Sequence, residues 1–325
     1  MMLPGWVLAV TPNPALDTTY SVPVFVPGGS HRVAAPVVKA GGKGVNVARV
    51  IHQSGYGVHA VLPVGGGSGI ELSADLAASG IPHSVVEVGR PTRRSITVVD
   101  QATGSATLLN EEGGALTTGD WDRVLESVLL RLPASGCLSC SGSLPPDAPQ
   151  DFYATLVRAA RPYGLPTVVD ATGPALLEAA RAGATVVKPN RDELLESTGE
   201  SDPARGAAKL LALGARLVLV SLGEDGMLAF DARDPAAPWH ARFPTVLAGN
   251  PTGAGDAAVA AVAVRLAQGP RSVPDLLRAA TAWSASAVLM PTAGVLHPDY
   301  SSMIDTVVLR SPASASDPQE VLSWG

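Results

Sequence analysis

A glycine-rich turn placed directly before an aspartate is the stretch of this sequence most suggestive of chemistry. Residues 249–264 read GNPTGAGDAAVAAVAV, so Gly253 and Gly255 precede Asp256 and an apolar run follows. Glycines before a helix let backbone N–H groups approach an anion closely, and the helix N-terminus adds partial positive charge. This arrangement suits a phosphoryl group in transfer, with Asp256 as general base for the attacking hydroxyl. The plainer interpretation of Asp256 is an acid that favours the first turn of a helix.

A second glycine cluster, AGGKGVNVA at residues 40–48, has the same predicted strand–turn–helix pattern. It lacks the G-x-x-x-x-G-K-[ST] spacing of a Walker loop. Lys43 among these glycines indicates a second anion site or close backbone contact with a polyol. A tight packing turn is the alternative without chemistry.

The elements that must position these residues follow a β-α-β-α order along most of the chain. That order predicts an α/β fold with a mostly parallel sheet and helices on both faces. Predicted strands cover 7–10, 59–65, 137–143, 166–170, 185–190, 216–223 and 226–231, and predicted helices include 42–55, 71–80, 119–132, 151–164 and 174–183. In an open parallel sheet, ligands bind beyond the carboxyl ends of the strands.

Polar or glycine-rich residues follow five of these predicted strands, and a sixth such segment precedes the apolar run that begins at residue 257. We therefore expect them to gather at one edge of the sheet, although any single one could be an ordinary turn. They are TPNPALD after 7–10, SGSLPPD after 137–143, Asp170, KPNRDE after 185–188, SLGEDG after 216–221 and finally GNPTGAGD.

Two stretches, 18–38 and 92–110, interrupt the alternation with β-rich runs and no helix between them. Four extra strands inserted in an α/β domain predict a small separate sheet that acts as a lid over the site. Its apolar residues, such as Val24, Phe25, Val33, Ile96 and Val98, predict a homodimer that pairs lid with lid and positions Arg93 and His31 over the site.

Taken together, these motifs resemble those of the ribokinase-like (PfkB) carbohydrate kinases along about residues 5–305. The chain looks most like the hexose-phosphate branch, which contains the 1-phosphofructokinases, tagatose-6-phosphate kinases and minor 6-phosphofructokinases. The residues that carry the resemblance are NPALD (13–17), GGKGVNVAR (41–49), TRRS (92–95), SGSLPP (141–146), KPNRDE (188–193), VSLGEDG (220–226) and PTGAGD (251–256).

The resemblance implies a three-layer α/β/α kinase domain over residues 1–310 with a small β-sheet lid, followed by a flexible tail at 311–325. It implies ATP and Mg²⁺, and a ketohexose phosphate (fructose 1-phosphate, fructose 6-phosphate or tagatose 6-phosphate) as the acceptor that becomes a bisphosphate. The resemblance also implies a role for each matching residue. Asp256 would be the catalytic base, with Gly253, Ala254 and Gly255 as the anion hole, and the substrate would be bound by Asp17, Gly41, Gly42, Lys43, Asn46, Arg93 and Ser143. The nucleotide would be bound by Lys188, Asn190, Ser221, Gly223, Gly226 and Thr252, and the metal by Asn190 and Glu193.

Two departures from the family pattern concern the acceptor. Pro251-Thr252 stands where the family usually has a small or β-branched residue, and GGSHR replaces a lysine near position 30 that some members use for the sugar phosphate. Lys43 could supply that charge. A kinase of an unphosphorylated sugar or nucleoside, or a non-catalytic sugar-phosphate-binding protein, are the alternatives. Arg93 and Lys43 disfavour the first, and the intact Asp256 disfavours the second.

Bulk composition narrows the class of partner. The 325 residues are 46% hydrophobic with a net charge of −6 and no block of like charge, which argues against nucleic acid or an anionic membrane surface. Cys137 and Cys140 form a C-x-x-C spacing, but no second Cys/His cluster completes a metal site, so we expect both in a buried strand. The N-terminal segment lacks the pattern of a signal peptide, and we expect a cytoplasmic protein.

Overall fold

The structure is a computed structural model that describes residues 5–311. Its strands are β1 (Val7–Val10), β2 (Ala15–Val22), β3 (Val37–Gly41), β4 (Val58–Val64), β5 (His83–Glu87), β6 (Arg93–Asp100), β7 (Ala106–Asn110), β8 (Cys137–Ser141), β9 (Thr167–Asp170), β10 (Val186–Val187), β11 (Leu217–Ser221), β12 (Met227–Asp231), β13 (Asp234–Arg242) and β14 (Val308–Arg310). Its helices are α1 (Lys43–Gln53), α2 (Gly66–Ala78), α3 (Thr118–Leu129), α4 (Phe152–Ala160), α5 (Gly173–Arg181), α6 (Arg191–Thr198), α7 (Pro203–Leu213), α8 (Ala254–Ala267), α9 (Val273–Val288) and α10 (Met303–Thr306).

Ten strands form one large sheet in the order β14-β13-β12-β11-β10-β9-β8-β1-β4-β5. The strands from β5 to β11 in this order pair in parallel, whereas β12, β13 and β14 add antiparallel strands at one edge. Helices α1, α2, α8 and α9 pack on one face, and α3, α4, α5 and α7 pack on the other. The predicted α/β/α layering with a mostly parallel central sheet is confirmed.

Helix α8 lies at the centre of one face of the sheet. Its sequence AGDAAVAAVAVRLA is rich in alanine, which has the highest helix propensity and a small side chain. The helix is buried on nearly every side. Alanine side chains let α1 and α9 approach α8 closely. The N-terminus of α8 is thereby fixed at the edge of the sheet where the parallel strands end.

A separate four-stranded sheet has the order β3-β2-β6-β7. Strands β2 and β6 pair in parallel, and the other neighbours pair antiparallel. One expected detail is wrong: residues 23–36 contain no strand, so Val24, Phe25 and Val33 lie in a loop. Prolines 23, 27 and 36 and the Gly28-Gly29 pair account for this, because proline lacks the N–H that a strand ladder needs.

Three strands were not predicted from the sequence. β5 and β14 are short, and β13 contains Pro235 and Pro238, residues that are unfavourable within a strand. Cys137 and Cys140 are free and buried on β8, as expected, and they face opposite sides of the sheet. No helix in the described part of the chain is both long and apolar enough to span a bilayer. The predicted tail lies, except for residue 311, outside the described residues.

Candidate active site

A cavity of about 740 Å³ lies between the small sheet and the carboxyl edge of the large sheet. It brings together most residues that the motifs singled out, from segments far apart in the chain. The cavity is lined by Asp17, Gly42, Lys43, Asn46, Arg93, Lys188, Asn190, Glu193, Ser221, Gly223, Gly226 and the whole of 251–256. Gly41 and Ser143 do not line it.

Asp256 lies in the first turn of α8 and is 6% exposed. Its Oδ2 atom accepts a 2.8 Å hydrogen bond from Nδ2 of Asn46. Burial, together with the nearby negative charge of Asp170, raises the pKa of Asp256 from its ordinary value of 3.8 to about 7. A carboxyl group with that pKa exchanges its proton near neutral pH, as a general base requires.

The turn before Asp256 has the geometry of an anion cradle. Gly253 caps α8 with φ +85°, a conformation that residues with a Cβ rarely adopt, and a Cβ there would lie 2.8 Å from that of Ala293. A Cβ on Gly255 would lie 3.3 Å from the Nζ atom of Lys188. The N–H of Ala254 already donates to the carbonyl of Pro251 at 3.1 Å, so an anion would be bound by the neighbouring backbone N–H groups of the turn, beside the buried Lys188 ammonium group.

Four charged side chains form a cluster on the adjoining wall. Nζ of Lys43 donates to Oε1 of Glu193 at 2.6 Å and to Oδ1 of Asp170 at 3.3 Å. Nζ of Lys188 lies 3.7 Å from the same Asp170 oxygen. Burial disfavours the charged form of Lys43, but Asp170 and Glu193 outweigh it and hold its pKa above the ordinary value. The sequence did not assign Asp170 a role, although its position at the end of a strand is the signal that could have done so.

Asn190 and Glu193 form a capping box at the start of α6. Oδ1 of Asn190 accepts from the Glu193 N–H at 2.8 Å, and Oε2 of Glu193 accepts from the Asn190 N–H at 2.9 Å. These contacts fix both side chains at the cavity wall. The pair thus stabilises the start of α6, and Glu193 also contacts Lys43. The metal-binding role of both residues stays a prediction.

The side chains here fit a magnesium ion that arrives with a nucleotide. Asp170, Asn190 and Glu193 offer the oxygen atoms that Mg²⁺ prefers, and an ammonium group already lies between the two carboxylates. Among residues 5–311, no three His, Cys, Asp or Glu side chains form a closed metal set. Mg²⁺ usually keeps several waters and shares substrate phosphates, so an open set of this kind suits it.

The remaining wall, which the resemblance assigns to the nucleotide, is largely apolar. Beyond Ser221, Gly223 and Gly226 it includes the apolar Phe243, Val246, Leu247, Ala285 and Val288 and the polar Thr245, Thr281 and Ser284. Such a surface suits the flat, apolar faces of a nucleobase. Sequence reasoning missed these residues because a short apolar run carries no motif and Val246, at 71% exposed, lies in a loop.

The wall formed by the small sheet holds the residues expected to bind a sugar. Asp17 on β2 faces the cavity, and burial raises its pKa to about 6 despite the opposing charges of Arg93 and Arg49. A Cβ on Gly41 would overlap the Asp17 carboxylate, so Gly41 supports Asp17 from behind.

Arg93 on β6 is held by backbone carbonyls. It donates to the carbonyl of Asn13 through Nε and Nη2 and to that of Glu111 through Nη1. Oγ of Ser143 accepts a 3.3 Å hydrogen bond from Nδ2 of Asn13, the residue whose carbonyl also binds Arg93, and Ser143 itself is exposed.

Comparisons with known proteins agree with this arrangement. A family model described as "pfkB family carbohydrate kinase" matches residues 11–298. ATP-dependent 6-phosphofructokinase isozyme 2 of Escherichia coli K12 is 33% identical over 292 residues, covering 87% of this chain and 92% of that protein. The 1-phosphofructokinase of Xanthomonas campestris pv. campestris is 35% identical over 287 residues, covering 85% and 89%. A crystal structure of Escherichia coli phosphofructokinase-2 in complex with fructose-6-phosphate superposes with a TM-score of 0.81 and 31% identity, covering 93% and 98%.

Proposed function

The chain belongs to the pfkB family of carbohydrate kinases, which transfer a phosphoryl group to a sugar hydroxyl, and we propose that it uses ATP to phosphorylate a ketohexose phosphate to the bisphosphate. The observation that carries this proposal is the position of Asp256 in one continuous cavity. On one side of Asp256 lies the apolar wall suited to a nucleobase, and on the other lies the small sheet with Asp17 and Arg93.

In the proposed mechanism Asp256 accepts the proton of the attacking sugar hydroxyl. Asn46 occupies its Oδ2 atom, which leaves Oδ1 for the hydroxyl. As the proton moves to the carboxylate, the sugar oxygen attacks the γ-phosphorus of ATP and the bond to the ADP oxygen breaks.

Charge on the transferred phosphoryl group is stabilised by the α8 N-terminus and by Lys188. The backbone N–H groups of the first turn and the Lys188 ammonium converge there, beside buried side chains. Asp170, Asn190 and Glu193 would hold Mg²⁺ next to the nucleotide phosphates. Bound there, the ion would neutralise phosphate charge.

Arg93 supports a phosphorylated acceptor over a neutral one. A guanidinium group carries five N–H donors, and three of those of Arg93 are used by backbone carbonyls. The other donors remain for the phosphate that the sugar already carries. The backbone carbonyls also fix the orientation of the Arg93 side chain. Lys43, in contrast, is held by Asp170 and Glu193 rather than at the wall of the small sheet.

We also propose that the small sheet closes over the bound sugar and forms the contact of a homodimer. Apolar side chains on the face turned away from Asp17 are exposed in the single chain, among them Val38 at 38% and Leu109 at 58%. His31, expected over the site, contacts Val26 and Phe25 of its own loop. Its role stays a prediction.

The direct test is an ADP-release assay with ATP and a panel of acceptors. Fructose 1-phosphate, fructose 6-phosphate and tagatose 6-phosphate are compared with the corresponding free sugars. We expect one phosphorylated ketose to give the highest kcat/KM. Equal or better turnover of a free sugar would contradict the proposed acceptor, and no turnover of any sugar would contradict the proposed activity.

A further inference from the structure

Lys43 lies where the structure would accommodate a divalent cation. Its Nζ atom bridges Oε1 of Glu193 at 2.6 Å and Oδ1 of Asp170 at 3.3 Å. Both carboxylates belong to the oxygen set that fits magnesium. The ammonium group thus lies between two carboxylates and neutralises charge that a divalent cation could otherwise neutralise.

The charges of this cluster already balance in the free protein. Lys43 and Lys188 contribute two positive charges, and Asp170 and Glu193 contribute two negative ones. Asp170 is 1% exposed, so solvent screens its charge poorly. A divalent ion entering alone would meet two ammonium groups, and Asp170 and Glu193 are already paired with them. The other carboxyl group near Lys43 is that of Asp256, which is hydrogen-bonded to Asn46.

Lys43 also has a way to leave. Its side chain is 35% exposed and borders the cavity, and Gly142 opposite its Cβ leaves space beside its stem. The phosphates of a nucleotide would offer the ammonium group new partners and free the carboxylates.

We propose that Lys43 blocks metal binding in the nucleotide-free protein and yields the Asp170–Glu193 pair to a divalent cation only when a polyphosphate enters. The proposal rests on the proposed function only in assigning this wall to the nucleotide. Metal entry is thereby coupled to nucleotide binding by one side chain of this chain.

The test measures Mn²⁺ binding to the nucleotide-free protein by the electron paramagnetic resonance signal of free Mn²⁺, with no ATP or sugar present. Lys43→Met keeps the length of the side chain and removes its charge, and we expect it to bind Mn²⁺ at least about tenfold more tightly than wild type. Lys43→Arg should bind as weakly as wild type. Lys209→Met is the matched control, because Lys209 pairs with Glu200 at the same 2.6 Å on the surface.

Glu193→Gln added to Lys43→Met should remove the gain. Lys43→Gln serves as a second uncharged variant should Lys43→Met not fold, as judged by circular dichroism. Unchanged Mn²⁺ affinity in the uncharged variants, an equal gain in Lys43→Arg, or a gain that survives Glu193→Gln would each overturn the proposal. So would stoichiometric Mn²⁺ binding by nucleotide-free wild type at micromolar concentration, whatever the variants do. Because no turnover is measured, failure of the proposed kinase activity would leave these outcomes readable.

Discussion

Nδ2 of Asn46, on α1, donates a 2.8 Å hydrogen bond to Oδ2 of Asp256, on α8, across 210 residues of sequence. Both side chains are more than nine-tenths buried. The contact holds one oxygen of a carboxyl group that lines the cavity. Asn46, which follows the first glycine-rich turn, thus orients Asp256, which follows the second.

Replacing Asp256 with asparagine tests the base directly. The amide oxygen of the introduced side chain can still accept from Asn46, so we expect the fold and the binding of ATP and sugar to persist. Loss of the base should lower kcat by roughly 10²–10⁴-fold. Steady-state kinetics and equilibrium titration with ATP separate the two effects. A variant with near-normal kcat on the true acceptor would exclude Asp256 as the base.

The pH dependence of kcat/KM should report the same group. Because burial raises the pKa of Asp256 to about 7, the carboxylate is protonated below that pH and cannot accept a proton. We expect kcat/KM to fall about tenfold per pH unit below about 7 and to level off above it. In Asp256→Asn the residual rate should lack this limb. A wild-type profile that stays flat from pH 8 down to pH 5 would contradict the assignment.

Stability should vary with pH in the opposite sense. The folded-state pKa of Asp256 lies above the ordinary 3.8, so the folded protein holds a proton between about pH 4 and 7 that the unfolded chain has lost. The free energy of unfolding therefore falls as pH rises through this window, by at most on the order of 4 kcal/mol. Relative to wild type, Asp256→Asn should gain thermal stability at pH 8 and show a smaller gain at pH 5. Scanning calorimetry at both values measures this, and an equal difference at the two would refute the titration.

Arg93→Ala should weaken the binding of the acceptor sugar phosphate but not the binding of ATP. Loss of a charge-assisted hydrogen bond is expected to weaken the binding of the sugar phosphate by roughly 1.5–3 kcal/mol, seen as a raised KM. KM for ATP and the weak turnover of the free sugar should change little. Arg94→Ala is the control, since Arg94 pairs with Glu71 at the surface. If phosphorylated and free sugars lose rate equally, Arg93 has a structural role or serves the transferred phosphate.

The sequence predicted this fold well where local pattern and burial agree. Strand Val7–Val10 and the helix that begins at Lys43 were placed closely, because continuous apolar runs and glycine turns mark them. β13 was missed because its prolines contradict strand propensity. They lie outside the part of β13, His240–Arg242, that pairs with β14, so on that side no ladder N–H is needed from them.

The site was only partly predictable, for a different reason. Motifs bring residue types to one edge, yet they do not say which side chains pair with one another. Lys43 was expected to bind the substrate; the structure pairs it with Asp170 and Glu193, which the motifs did not indicate, and its role stays a prediction. Ser143 was expected in contact with substrate; it is exposed, bonds to Asn13 and is not part of the cavity lining, so its role stays a prediction. Such partners depend on tertiary distances that a single sequence does not contain.

The last prediction concerns the exposed face of the small sheet. Ile96 lies opposite Leu109 across the β6–β7 pair and next to Thr18 of β2, which in turn lies opposite Val38. Leu109 and Val38 are 58% and 38% exposed, so this row presents apolar surface to solvent in the single chain. We expect light scattering at micromolar concentration to show a dimer, and Leu109→Asp to shift it toward monomer because each copy would bury an introduced carboxylate at the contact. Leu130→Asp is the control: Leu130 is 77% exposed just beyond α3, away from the small sheet. A monomeric wild type with full activity in the same solution would rule out an obligate dimer formed through this sheet.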